Sequence, residues 1–151
     1  MVQQLMPILA ASDAARAPAT PGAYALLILL RRPFAGRIGA LGRVGLAAGA
    51  YLYLGSARGP GGLRARLARH ARRGKRLHWH VDRITAHGAL VSILAAPGGS
   101  ECDLADRARA LPGASVPVPG FGSSDCRHCP AHLIAVPGDG RAALAALAHF
   151  H

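Results

Sequence analysis

The chain is 151 residues long and 51% apolar, with 18 Lys and Arg against 7 Asp and Glu, a formal net charge of +11. That length makes one domain with a core of its own; no apolar run reaches the roughly 18 to 20 residues of a membrane-spanning helix, and 3 cysteines make no even disulfide set. Membrane spans and a disulfide scaffold are thereby excluded, a cytoplasmic location is expected, and the basic excess calls for an acidic partner, most simply nucleic acid.

Residues 1–20, rich in Ala with Pro18, read as a loosely held leader or a short accessory helix, and residues 21–151 as the single folded domain. Residues 22–30 (Gly-Ala-Tyr-Ala-Leu-Leu-Ile-Leu-Leu) form an unbroken apolar run, the pattern of a strand buried on both faces. Residues 31–49, punctuated by Pro33 and repeated glycines, predict a turn-rich connection in which Ile38, Leu41, Val44 and Leu46 add a short strand or a docked loop. Residues 51–54 predict a second strand, with Leu52 and Leu54 on one face and Tyr51 and Tyr53 on the other, paired with the first as an antiparallel hairpin. Gly55 and Ser56 stop it, and Gly59-Pro60-Gly61-Gly62 connect it to a helix from Leu63. The buried side of that helix is Leu63, Leu67 and Ala71, while Arg66, Arg69, Arg73 and Arg76 line the opposite side at spacings of three and four.

Seven Arg or Lys fall between Arg64 and Arg76, so the basic excess is concentrated there rather than spread over a solvated surface. Planar guanidinium forks match phosphate oxygens. Arg58, Arg64, Arg69, Arg72, Arg73, Lys75 and Arg76, with His80, are the expected contacts to a nucleic-acid backbone. Further on, residues 78–84 predict a second helix with Trp79 packing inward, residues 89–96 a third strand, and Pro97-Gly98-Gly99 a turn. Ser100 is a good N-cap for a helix over 101–111, which puts Glu101 in its first turn, beside the end of the third strand. Residues 112–122 are irregular and 123–129 a loop; residues 133–136 predict a last short strand and 141–150 a closing helix.

Gly22-Ala23-Tyr24, then Tyr53-Leu54-Gly55, then Arg66 on the next helix and a single later glutamate, Glu101, resemble in their order the signature of the GIY-YIG nuclease superfamily. Residues 75–82 and 120–126 are similar to a small prokaryotic branch of it, the URI-type endonucleases, and the resemblance covers about residues 22–136. It implies an α/β fold of the α+β type, a small antiparallel three-stranded sheet flanked by helices, and divalent-metal-dependent hydrolysis of a DNA phosphodiester. Tyr24 and Tyr53 would be the two signature tyrosines, Arg66 the catalytic arginine and Glu101 the ligand of Mg²⁺ or Mn²⁺. His70 and His80 are the candidates for proton transfer or phosphate contact, with His70 favoured because it lies four residues after Arg66, one turn along the same face. The first tripeptide reads Gly-Ala-Tyr and the second Tyr-Leu-Gly, and the asparagine that many members place after the glutamate is missing, since the chain has none; Ser124 and Asp125 are the candidates for its place.

Phosphodiester hydrolysis needs an activated water, neutralised phosphate charge and help for the leaving oxygen, and Mg²⁺ tied by one carboxylate keeps several waters. Each residue also has a structural explanation. Glu101 is a favourable acid at a helix N-terminus, Arg66 a backbone contact on a basic face, and Tyr24 with Tyr53 an aromatic cross-strand pair. A phenol with its usual pKa of about 10 acts as a base only beside cations such as Arg66. Asp82, Asp103 and Asp106 are rival carboxylates. Cys126-Arg-His-Cys129 followed by His132 has zinc-knuckle spacing, and Cys102 would complete four ligands; buried, unligated thiols are the alternative. The rival reading of the chain is a catalytically inactive basic nucleic-acid-binding module, with or without zinc. Either is expected as a monomer or a homodimer.

Overall fold

The computed structural model describes residues 4–122 and 129–150. Its centre is β3 (Gly22–Leu30), which pairs antiparallel with β6 (Gly49–Ala57) on one side and β7 (Ala89–Pro97) on the other. These are the three strands the sequence predicts, but the sheet does not stop at three. β2 (Ile8–Ala10) pairs with the outer edge of β7, and β8 (Leu133–Val136) with that of β6. The result is a five-stranded antiparallel sheet in the order β2-β7-β3-β6-β8. The cause is the length of the inner strands: β6 and β7 would each leave a row of unpaired N–H and C=O groups at an edge, and short segments from the two ends of the chain pair with part of each.

Residues 4–20 therefore do more than lead in. Besides β2 they supply a 3-10 helix (Ala11–Arg16) with Ala14 buried, and β1 (Gln4–Leu5), which pairs with β9 (His149–Phe150). That last pairing ends α4 (Arg141–Ala148) two residues before the predicted limit of the closing helix. Between β3 and β6, β4 (Phe34–Arg37) and β5 (Arg43–Leu46) form a hairpin of their own, seated through buried Ile38, Val44 and Leu46.

Alternation sorts the central strands into two faces. Tyr24, Leu26, Ile28, Tyr51 and Tyr53 join a core covered by α1 (Gly62–Ala71) and α2 (His80–His87) through Leu63, Leu67, Val81 and Ile84. Ala25, Leu27, Leu52 and Leu54 join a second core beneath α3 (Glu101–Arg109) and α4, through Leu104, Ala108, Leu144 and Leu147. A strand covered on both faces has no polar side to present, hence the unbroken apolar run. Each fully buried Leu contributes about 1.5–3 kcal/mol. Leu63 and Leu67, both 0% exposed, fix α1 over the tyrosine face.

α1 ends at Ala71, and the chain leaves through Arg72 in extended backbone. Arg73 and Arg76 thus lie beyond the helix, not on the predicted helical row of guanidiniums. Lys75 turns back, its Nζ donating to the carbonyls of His70 at 2.8 Å and Arg72 at 3.1 Å, acceptors that the helix end leaves without partners. At α3 the predicted cap forms: Ser100 Oγ accepts from the Asp103 N–H at 3.3 Å. Among the described residues, no helix is long and apolar enough to cross a membrane.

Candidate active site

The register of β3 and β6 sets Tyr24 opposite Gly55 and Leu26 opposite Tyr53. Both phenol rings reach His70 in the last turn of α1. Tyr24 Oη lies 2.8 Å from His70 Nε2, and the ring centroids stand 5.3 Å from His70 for Tyr24 and 6.4 Å for Tyr53. β6 does not stop at Gly55 as predicted but runs to Ala57. Gly55 is there for a different reason: a Cβ at this position would fall on the Tyr24 hydroxyl. In the other tripeptide, a Cβ on Gly22 would meet the Ala96 carbonyl of β7. One glycine makes room for a phenol, the other for a neighbouring backbone.

Tyr24 is 2% exposed, Tyr53 8% and His70 2%. Burial pushes both phenols above their ordinary pKa; the Arg66 guanidinium opposes the shift, while Glu101 and Asp82 add to it. Burial also pushes His70 down to about 3, against the pull of Asp82 and with the cations of Lys75, Arg69 and Arg66 assisting. All three groups are therefore neutral at pH 7.

Trp79, at the N-terminus of α2, is a platform for this cluster. Its ring lies 5.5 Å from that of His70, with the guanidiniums of Arg66 and Arg69 stacked at 4.4 and 4.1 Å from its centroid. Arg69 also donates to both oxygens of Asp82, at 3.1 and 2.9 Å. Asp82 is fully buried and accepts the N–H groups of His78 and Trp79 at 2.8 and 2.9 Å. Burial alone would raise its pKa, but Arg69 and these two N–H donors hold the carboxyl below its usual range. Asp82, a rival metal ligand by sequence, is engaged in pinning α1 to α2. Its one sequence signal was an acid three residues after a helix cap; nothing in the sequence pointed to the Trp–Arg stack.

Arg66 donates to the Ser56 carbonyl at 3.1 Å and its charge acts on both phenols. Glu101 opens α3 from the far side of the sheet with its side chain 27% exposed; Oε2 is 3.5 Å from Nδ1 of buried His132, and the carboxylate also acts on both phenols. Tyr24, Tyr53, Arg66 and His70 thus form one cluster with Glu101 at its margin. Of the expected backbone contacts, Arg58, Arg72, Arg73 and Arg76 are exposed. Arg72 and Arg73, with His70 and Lys75, line a groove of about 540 Å³ beside the exit of α1. Arg64 is tied to the Ala17 carbonyl at 2.9 Å, Arg69 to Asp82 and Lys75 to the helix end. His80 packs edge-on against Phe121, centroids 5.7 Å apart.

Asp103 and Asp106 are exposed, and Asp106 pairs with Arg109. Cys102, Cys129 and His132 come together, their ligand atoms all within 4.8 Å of one another. Cys126, Ser124 and Asp125 lie outside the described residues.

A family model described as a domain of unknown function, DUF123, matches residues 23–150, a span that includes both tyrosine strands, α1 and Glu101. No curated protein and no solved structure matches the chain.

Proposed function

The chain belongs to the DUF123 family, a domain of unknown function, and we propose that it is a GIY-YIG-type endonuclease that hydrolyses DNA phosphodiesters with the aid of Mg²⁺ or Mn²⁺. The observation that carries this reading is the convergence of Tyr24, Tyr53, Arg66 and His70, from two strands and one helix, on a single cluster whose phenols feel the Glu101 carboxylate.

The residues fit the ion. Glu101 is partly exposed and within reach of a hydrated cation, Asp82 is committed elsewhere, and a single carboxylate suits Mg²⁺, which keeps most of its waters. Bound at Glu101, the ion supplies charge neutralisation at the phosphate. Arg66, fixed by Trp79 and the Ser56 carbonyl, meets the non-bridging oxygens with its remaining N–H groups. The raised pKa of Tyr24 rules out a standing phenolate. Tyr24 acts instead as a neutral positioning group: its hydroxyl is paired with His70 Nε2, its oxygen accepts a hydrogen bond from the attacking water, and the proton of that water passes to solvent. Tyr53 packs against His70 and Phe121 and holds the imidazole in line. The leaving oxygen is protonated from solvent.

Incubation of plasmid, single-stranded and branched DNA with Mg²⁺ or Mn²⁺ tests the proposal. Glu101→Ala is expected to lower cleavage at least about 100-fold with DNA binding retained; full activity in that variant removes Glu101 from the site. A non-catalytic DNA-binding module is the second reading, favoured by the deep burial of both phenols. It predicts binding without cleavage on every substrate and with either ion.

A further inference from the structure

We propose that Cys102, Cys129 and His132 form a zinc site that ties the first turn of α3 to the chain entering β8. Cys102 is the second residue of α3; Cys129 and His132 lie just before β8. Around a tetrahedral zinc with bonds of about 2.1–2.3 Å, ligand atoms stand roughly 3.4–3.8 Å apart. The three atoms here all lie within 4.8 Å of one another, close to that spacing. Two thiolates and an imidazole are a soft to borderline set, which selects zinc over Mg²⁺ or Ca²⁺.

A second observation points to the same ligand. His132 is 1% exposed and its ring nitrogens are poorly paired: the Gly122 backbone lies near enough to act on the imidazole, but no contact among the described residues has full hydrogen-bond geometry. The Glu101 carboxylate stands off at 3.5 Å from Nδ1. Leaving a buried polar group unpaired costs about 1–3 kcal/mol, a cost that a metal bond removes.

Backbone bonds place the ligand in advance. His132 N–H donates to the Phe121 carbonyl at 2.8 Å, the His132 carbonyl accepts from Leu54 at 2.9 Å, and Gly120 donates to the Pro130 carbonyl at 2.6 Å. The charges facing the site are of both signs: Glu101, and Arg109, whose guanidinium acts on His132. The two thiolates neutralise the ion, and three protein ligands leave the fourth tetrahedral position for a further donor. Such a site would also steady Glu101, the residue before Cys102, without taking part in phosphate chemistry.

The test is metal content of the full chain purified under reducing conditions and equilibrated with zinc. About one zinc per chain is expected in the wild type, lost in Cys102→Ser, Cys129→Ser and His132→Gln. Replacement by Co²⁺ should give thiolate-to-cobalt charge-transfer bands that both Cys→Ser variants lack. Should a variant fail to fold, the wild type alone decides: chelation must lower its melting temperature, and zinc, not Mg²⁺, must restore it. A wild type that takes up no zinc and gives no charge-transfer band overturns the proposal, as do variants that keep wild-type zinc. None of these readouts uses DNA cleavage, so failure here and failure of the nuclease reading are distinguishable.

Discussion

At His70 burial outweighs every neighbouring charge, and that fixes a pH dependence. Its pKa is pushed down to about 3 from an ordinary value near 6.5. Between those limits the unfolded chain binds the proton and the folded one does not, so stability rises with pH. It is full above about pH 6.5 and falls by up to about 1.4 kcal/mol per unit as pH drops toward 3. His70→Phe should flatten the acid side of a urea-denaturation series measured from about pH 4 to 7, and an unchanged slope would mean that the imidazole titrates normally. Gly55 gives a steric counterpart. Gly55→Ala sets a methyl against the Tyr24 hydroxyl, an overpacking expected to cost about 1–3 kcal/mol and to reduce cleavage more than DNA binding. Wild-type stability and turnover in this variant would show that the Tyr24 ring shifts without penalty. The sequence marked Tyr24, Tyr53 and both glycines by their order. It could not show that Gly55 makes room for the partner tyrosine, because that depends on the register between two strands.

Among the elements, the junction of α1 and α2 depends most on one carboxylate. Asp82 takes four hydrogen bonds, two from Arg69 and two from the backbone that starts α2. Removing it leaves Arg69 and both N–H groups short of partners, a loss of about 3 kcal/mol for a largely buried pair. Asp82→Ala should also shift the emission of Trp79, the single tryptophan, to the red as the ring loses its place between Arg69 and His70. Unchanged emission and stability would show that the Trp–Arg stack holds α2 without the carboxylate. Elements with local signals were legible: the apolar run of β3, the alternation in β6, the Ser100 cap of α3. The last short strand, predicted over 133–136, is there as β8, whereas β1, β2 and β9 have two or three residues each and owe their existence to pairing with segments far away in the chain. The early end of α1 was hidden too, since it involves Lys75 reaching back to two carbonyls. Cys102 was offered by the sequence as a partner for Cys129 and His132, and the packing of α3 beside β8 brings these three together.

Over the whole molecule, a formal charge of +11 predicts attraction to DNA, but the structure reduces how many of the expected cations are available to phosphate. Seven Arg and Lys were expected at the backbone, and Arg64, Arg69 and Lys75 are engaged within the protein. Arg58, Arg72, Arg73 and Arg76 remain exposed. Each phosphate neutralised on duplex DNA contributes about −0.9 to the slope of log K against log salt. Four contacts therefore give a slope of about −3 to −4, where seven would give about −6. Titrations at several salt concentrations measure it directly, and a slope near −6 would return the three engaged cations, or others, to the interface. Arg72 and Arg73 make the sharper comparison because they line the groove beside His70. Their double replacement by Ala should flatten the slope by about 2 and leave the melting temperature close to that of the wild type. Arg69→Ala should do the reverse, lowering the melting temperature through the stranded Asp82 while leaving the slope unchanged. If replacing Arg72 and Arg73 left the slope intact, the DNA would have to cross another face of the molecule, away from the exit of α1 and from the Tyr24–His70 pair behind it.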